Sequence, residues 1–195
     1  MQSGNEINKT SDKIFRYKLT KPVFFIGFMG AGKTSVARRV ARMCSVSSVD
    51  MDTYIERSTE KKINQIFAEE GEGCFRDIES KTLFELASQE PLLISCGGGI
   101  VQQEVNRSIL AQKGFVIYLE VSVAEAAERI NEVSTRPLFS SLENAYQINQ
   151  ARLPFYEELA DAKIDTAGKE IGTIAQEVEA ILRKEGILWQ IPELL

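Results

Sequence analysis

Histidine is absent from all 195 residues. That removes the commonest general base and the commonest side-chain metal ligand, and with them any Ser-His-Asp mechanism. Cysteine is scarce. Cys44, Cys74 and Cys96 are odd in number and widely spaced, so they form neither a CxxC pair nor a zinc spacing; they suit a reducing compartment, as small core residues. No apolar run reaches the length needed to span a bilayer. The first 20 residues are polar and charged, without the apolar stretch of a signal peptide. Positive charge is in deficit, and a net charge of −5 disfavours non-specific binding to nucleic acid or anionic membrane. No amphipathic seam marks a subunit interface. These absences lead us to expect a cytoplasmic monomer whose partners are small molecules.

What is present points to one domain. The length suits a single core, and an apolar content of 44% is ordinary for a globular chain. We expect a polar N-terminal extension over 1–20, one domain over 21–186 and a tail over 187–195. Short apolar runs at Pro22–Ile26, Pro91–Ser95 and Phe115–Leu119, with weaker ones at Val46–Val49 and Ala162–Asp165, read as strands. Helical spacing lies between them: Lys33–Met43, Thr53–Arg57, Ile63–Glu70, Phe75–Ser88, around Gln103–Gln112, Val123–Ile130, a segment ending near Glu158, and Ile171–Lys184. Alternating strands and helices predict a three-layer α/β/α domain around a parallel sheet of five strands. Residues 131–142 are polar, interrupted by Pro137, and read as a surface loop.

Gly27-Phe28-Met29-Gly30-Ala31-Gly32-Lys33-Thr34 satisfies G-x-x-x-x-G-K-[ST] between a buried strand and a helix, which is the context a phosphate-binding P-loop requires. Glycines let successive N–H groups curl around phosphate oxygens, and the helix N-terminus adds partial positive charge. Lys33 would reach the β- and γ-phosphates, and the Thr34 hydroxyl would join a Mg²⁺ shell. The strand at Leu92–Ile94 ends in Ser95-Cys96-Gly97 rather than a carboxylate. Asp50 and Asp52 are the nearest alternatives; on an extended segment their i, i+2 spacing would aim both at the cleft. Asp50 would hold Mg²⁺ through water, and Asp52 would accept a hydrogen bond from an acceptor hydroxyl. The plain alternative for this pair is helix capping. No N-K-x-D motif is present, and H-R-D cannot occur without histidine, so GTPases and protein kinases are excluded. A small-molecule kinase remains.

Six motifs in order then resemble the shikimate kinase family. They are the P-loop, the Asp50/Asp52 pair, Glu70–Glu79 (similar to G-E-x-x-F-R-x-x-E), Gly97-Gly98-Gly99, Thr135-Arg136-Pro137-Leu138, and Arg152-Leu153-Pro154-Phe155-Tyr156. The likeness runs from about Val23 to about Asp165. It implies a fold like that of nucleoside monophosphate kinases, with ATP, Mg²⁺ and shikimate as the small molecules and phosphorylation of the shikimate 3-hydroxyl as the reaction. The resemblance puts ATP on Gly30, Ala31, Gly32, Lys33, Thr34 and Ser35, with Arg129 against adenine, and Mg²⁺ on Thr34 and Asp50. It puts shikimate on Asp52, Arg76, Gly97, Gly98, Gly99 and Arg152, with both arginines on the carboxylate. It makes Lys33, Asp52 and Arg136 catalytic, Arg136 riding on a lid over about 131–142. Glu79 would hold Arg76 through an i,i+3 pair.

Arg38, Arg39, Arg42 and Arg57 read as solvated helix-face charges, and Phe24, Phe67 and Phe115 as core, with Phe75 a candidate wall of the acceptor pocket. Three features depart from the family, one of them the polar lead-in of about 20 residues, which has no counterpart in a minimal member. Cys96 stands where threonine or serine is frequent, and Ala37 where glycine is. Two other readings stay open: a kinase for gluconate, a nucleoside monophosphate or another small carboxylate on the same scaffold, and a nucleotide-binding module without catalysis.

Overall fold

A computed structural model of the chain describes residues 17–129 and 141–191. Five strands form one parallel sheet: β2 (Val23–Ile26), β3 (Ser48–Asp50), β4 (Leu93–Ser95), β5 (Phe115–Glu120) and β6 (Ala162–Asp165). Their spatial order is β3-β4-β2-β5-β6. The chain winds one way from β2 and then the other, so β2 marks the point where a crevice opens beyond the carboxyl ends of the strands.

Continuous apolar runs, rather than alternating ones, are what this sheet requires, because helices cover both faces. Side chains alternate between the faces all the same. Val23 and Phe25 of β2 and Phe115, Ile117 and Leu119 of β5 pack with α1 (Lys33–Cys44) and α8 (Ile171–Lys184). Phe24 and Ile26 of β2, with Val116 and Tyr118 of β5, pack on the other side against α4 (Gly71–Ala87), α5 (Glu104–Lys113) and α7 (Leu142–Leu159). Two cores on one sheet give the three layers expected from the sequence. A third, small cluster of Ile55, Ile66 and Phe75 ties α2 (Met51–Thr59), α3 (Ile63–Glu69) and α4 together.

Two features were not legible in the sequence. Tyr17–Leu19 (β1) pairs antiparallel with Leu188–Gln190 (β7), joining segments that read as extension and tail. Leu19 and Leu188 turn inward and complete the first core, while Trp189 faces solvent. Three residues are too few to show a strand period, so neither segment reads as a strand. The other concerns cysteine: Cys44 and Cys96 are core residues as expected, but Cys74 is only half-buried and its Sγ lies 3.0 Å from Glu70.

The register of β1 with β7 predicts that Leu19→Ala, by opening a hole at 2% exposure, destabilises the fold by about 2–4 kcal/mol. Urea unfolding followed by circular dichroism measures this, and a loss under about 0.5 kcal/mol would mean that the terminal pair is not part of the cooperative unit.

Candidate active site

The loop from β2 into α1 is shaped by glycine where no other residue fits. Gly30 has φ +78°, and a Cβ there would stand 2.9 Å from the Ala126 carbonyl oxygen on α6 (Val123–Arg129). The loop therefore lies tight against its neighbour, and the first N–H groups of α1 open into the cleft. Lys33 is buried, and its ammonium donates to the carbonyls of Gly27 (2.8 Å) and Phe28 (2.9 Å). Ala31 is turned into the core, with its N–H donating to the Phe28 carbonyl.

Beside this loop three oxygen-bearing side chains converge. Thr34 Oγ1 donates to Asp50 Oδ2 at 2.6 Å and lies 3.0 Å from Ser95 Oγ. The other oxygen of Asp50, Oδ1, caps α2 by accepting from the N–H (2.9 Å) and hydroxyl (3.0 Å) of Thr53. Capping and site duties thus coexist in one residue. Burial pushes the Asp50 carboxyl up, but the hydrogen bonds from Thr34 and Thr53 and the charge of Arg38 outweigh it, leaving it below the ordinary carboxylate value. The i, i+2 geometry expected for the two aspartates is corrected here: α2 starts at Met51, so Asp52 sits in its first turn instead of on extended chain. A carboxylate there is favoured by the helix N-terminus. Both aspartates still reach the same cleft.

Across the cleft two guanidinium groups are buried. Arg76, 5% exposed, donates from Nη1 to Glu79 Oε2 (2.8 Å) and from Nη2 to Glu72 Oε1 (2.9 Å), as i,i+3 and i,i+4 partners on α4. Burial raises the Glu79 pKa although Arg76 opposes it, and the charge of Asp52 adds to the rise. Arg152, 4% exposed, differs from Arg76. It donates to the Gly98 carbonyl (3.1 Å) and, with the Gln102 amide oxygen turned toward it, from Nε to that oxygen (3.0 Å). No carboxylate lies within ion-pair distance of Arg152 among the described residues. The triple glycine threads between these groups. A Cβ on Gly97 would stand 3.1 Å from oxygens of both Asp52 and Glu79, and one on Gly99 would stand 2.5 Å from Arg76 Nη1. With that guanidinium pinned by two carboxylates, only glycine fits at 99.

Two clefts result. The first, of about 830 Å³, is lined by Gly30, Gly32, Lys33, Thr34 and Ser35 and extends to Arg129 and Lys169–Ile171. The second, of about 490 Å³, holds Arg76, Glu79, Gly99 and Arg152, with Met29, Phe67 and Phe75 as apolar wall. Asp52, Gly97 and Gly98 belong to both. Phe67 thus lines the cleft as well as packing on the third core cluster; its ring packs on Phe75 at 4.8 Å between centroids. Arg129 reaches the first cleft with its guanidinium held by Thr166 Oγ1 (3.1 Å) and the Thr166 carbonyl (2.9 Å). Arg136 and most of the 131–142 loop lie outside the described residues.

Sequence reasoning missed Ser95, Gln102 and Lys169–Ile171. Only for Ser95 was there a signal: a hydroxyl at a strand end beside the P-loop. Cys96, the departure that seemed to matter, is 2% exposed, and burial holds its thiol well above the ordinary value. Its neighbour Ser95 supplies the hydroxyl beside Thr34 and Asp50.

A family model described as Shikimate kinase matches residues 29–183. The chain is 39% identical over 166 residues to a shikimate kinase of Dictyoglomus turgidum, covering 83% of this chain and 96% of that protein. It is similar in structure to a shikimate kinase from Acinetobacter baumannii in complex with shikimate, with a TM-score of 0.81, 33% identity and coverage of 85% and 94% of the two chains. A gluconokinase from Sinorhizobium meliloti has a TM-score of 0.53 at 19% identity, over 86% and 94% of the chains, a likeness of fold alone.

The depressed Asp50 pKa gives a pH prediction. A carboxyl whose folded pKa lies below its unfolded value stabilises the fold above the unfolded pKa, and that contribution is lost as pH falls through the folded one. Asp50→Asn is expected to cost about 1 kcal/mol at pH 7, with the gap to the parent closing in acid. Urea unfolding at a series of pH values measures it; a gap that widens in acid would contradict the assignment.

Proposed function

The chain belongs to the shikimate kinase family, and from that membership we propose that it transfers the γ-phosphoryl group of ATP to the 3-hydroxyl of shikimate. The observation that carries this reading is the meeting of the two clefts at Asp52, Gly97 and Gly98, with a buried cation lacking a carboxylate partner, Arg152, on the far side. ATP would lie along the first cleft, its phosphates on Gly30, Gly32, Lys33, Thr34 and Ser35. Shikimate would lie in the second, its carboxylate on Arg152 and Arg76. Arg76 comes with its charge already met by Glu79 and Glu72, so it contributes donor geometry, while Arg152 contributes a cation with no carboxylate at ion-pair distance among the described residues.

Asp52 at the junction would accept the hydrogen bond of the attacking hydroxyl and take its proton as the oxygen–phosphorus bond forms and the bridge to the β-phosphate breaks. Lys33, now on loop carbonyls, would turn to the β- and γ-phosphates. Arg136, on the segment that the family resemblance makes a lid, would neutralise charge on the transferring group. No covalent enzyme intermediate is needed. The oxygen donors Thr34 and Asp50, with Ser95 alongside, fit Mg²⁺, which takes hard ligands and few from protein. When bound, the ion supplies charge neutralisation on the phosphates. The enzyme would work as a cytoplasmic monomer away from membrane and nucleic acid. Its net charge supports this, and no helix among the described residues is long and apolar enough to cross a membrane.

ADP release with ATP and Mg²⁺, with and without shikimate, tests the reading. Turnover is expected to depend on shikimate. Arg152→Ala is expected to lower kcat/KM for shikimate about 30- to 1000-fold, the effect of removing one partner from a buried charge pair, with KM for ATP little changed. ADP release indifferent to shikimate, or untouched by the substitution, would overturn the assignment.

A further inference from the structure

Tyr156 is fully buried on α7 with its ring stacked on Tyr118 at 5.4 Å. Packing alone would be served as well by phenylalanine, and a buried hydroxyl is costly unless it is bonded. This hydroxyl donates to the Gly98 carbonyl oxygen at 2.5 Å. Gly98 O also accepts from Arg152 Nη1. One carbonyl oxygen therefore takes both the phenol and the guanidinium.

This shared acceptor has a consequence for the cleft. In a trans peptide the carbonyl of one residue and the N–H of the next point in opposite directions, and no peptide here is cis. With Gly98 O held toward Tyr156, the Gly99 N–H points away from it. Gly99 lines the acceptor cleft, and its N–H donates to no acceptor among the described residues. The turn around it is bonded from Ile100 N to Gly97 O and from Gln102 N to Gly99 O, and the Gly98 carbonyl's partners fix the orientation of the peptide between them.

We propose that Tyr156 is a positioning residue for the acceptor: its hydroxyl locks the Gly98–Gly99 peptide and the Arg152 guanidinium in one relative orientation, so that an N–H and a cation meet the same acceptor molecule. The proposal rests on the shikimate kinase reading. Tyr156 itself touches no substrate. Burial keeps the phenol protonated and able to donate across the working pH range, since it pushes the pKa up against the pull of Arg152.

The test is Tyr156→Phe, which keeps the ring and its stacking and removes one oxygen, run beside Tyr118→Phe as the control for the stacked pair. For each protein, KM for shikimate, KM for ATP, kcat and the thermal midpoint are measured by ADP release and unfolding. Tyr156→Phe is expected to raise KM for shikimate about 5- to 10-fold, the scale of removing one buried hydrogen bond, while KM for ATP stays within about twofold. Tyr118→Phe is expected to leave both constants unchanged. Parallel increases in both KM values with a lowered midpoint would show a purely structural role and overturn the proposal, as would a Tyr156→Phe enzyme with unaltered constants. Absence of shikimate-dependent turnover in the unsubstituted protein is a separate outcome, which removes the functional reading and this proposal together.

Discussion

Taking a guanidinium group out of water costs several kcal/mol unless its donors are met and its charge is answered. Two such groups, Arg76 and Arg152, are buried in one cleft at 5% and 4% exposure, and the architecture around them follows from that cost. Arg76 is answered from its own helix by Glu79 and Glu72. Among the described residues Arg152 donates to neutral oxygens, those of Gly98 and Gln102, with the Glu79 charge acting from beyond ion-pair distance. The triple glycine is the backbone that can run between the two without collision. The result is a cleft in which one buried guanidinium is ion-paired on its own helix and the other keeps its donors on neutral oxygens.

These cations are placed with respect to the sheet. β2 ends in the P-loop and β4 ends in the triple glycine, and these strands are direct neighbours. The two loops therefore open into adjoining clefts, and a residue at the seam faces both. Asp52 holds that place through the first turn of α2, which Asp50 caps. A donor of phosphate and an acceptor hydroxyl on either side of one carboxylate gain most of what phosphoryl transfer needs, namely alignment and charge stabilisation.

Much of this was legible in the residues. The P-loop carries its own context, and the apolar runs of the three inner strands are buried because both faces of the sheet are covered. Arg76, Glu79 and Arg152 entered through resemblance, and only coordinates distinguish the paired cation from the one that lacks a carboxylate. Asp52 was placed in the right cleft by faulty geometry, since a helix start one residue after Asp50 cannot be read from propensity. Ser95 was hidden because a carboxylate was sought at the end of β4. Lys169–Ile171 and Gln102 lie in a loop and a short 3₁₀ turn without a motif. β1 and β7 are held by a pairing between opposite ends of the chain, which no local pattern encodes.

The central claim is that the buried Arg152 guanidinium, which has no carboxylate at ion-pair distance among the described residues, selects a carboxylate. Isothermal titration of shikimate and of its uncharged methyl ester against the same protein tests this most directly, since the two ligands differ at one group only. The account predicts that the ester binds at least about 30-fold more weakly, the scale of removing one charge-assisted hydrogen bond from a buried site. Equal affinity for acid and ester would contradict it and leave the buried guanidinium as a structural feature alone.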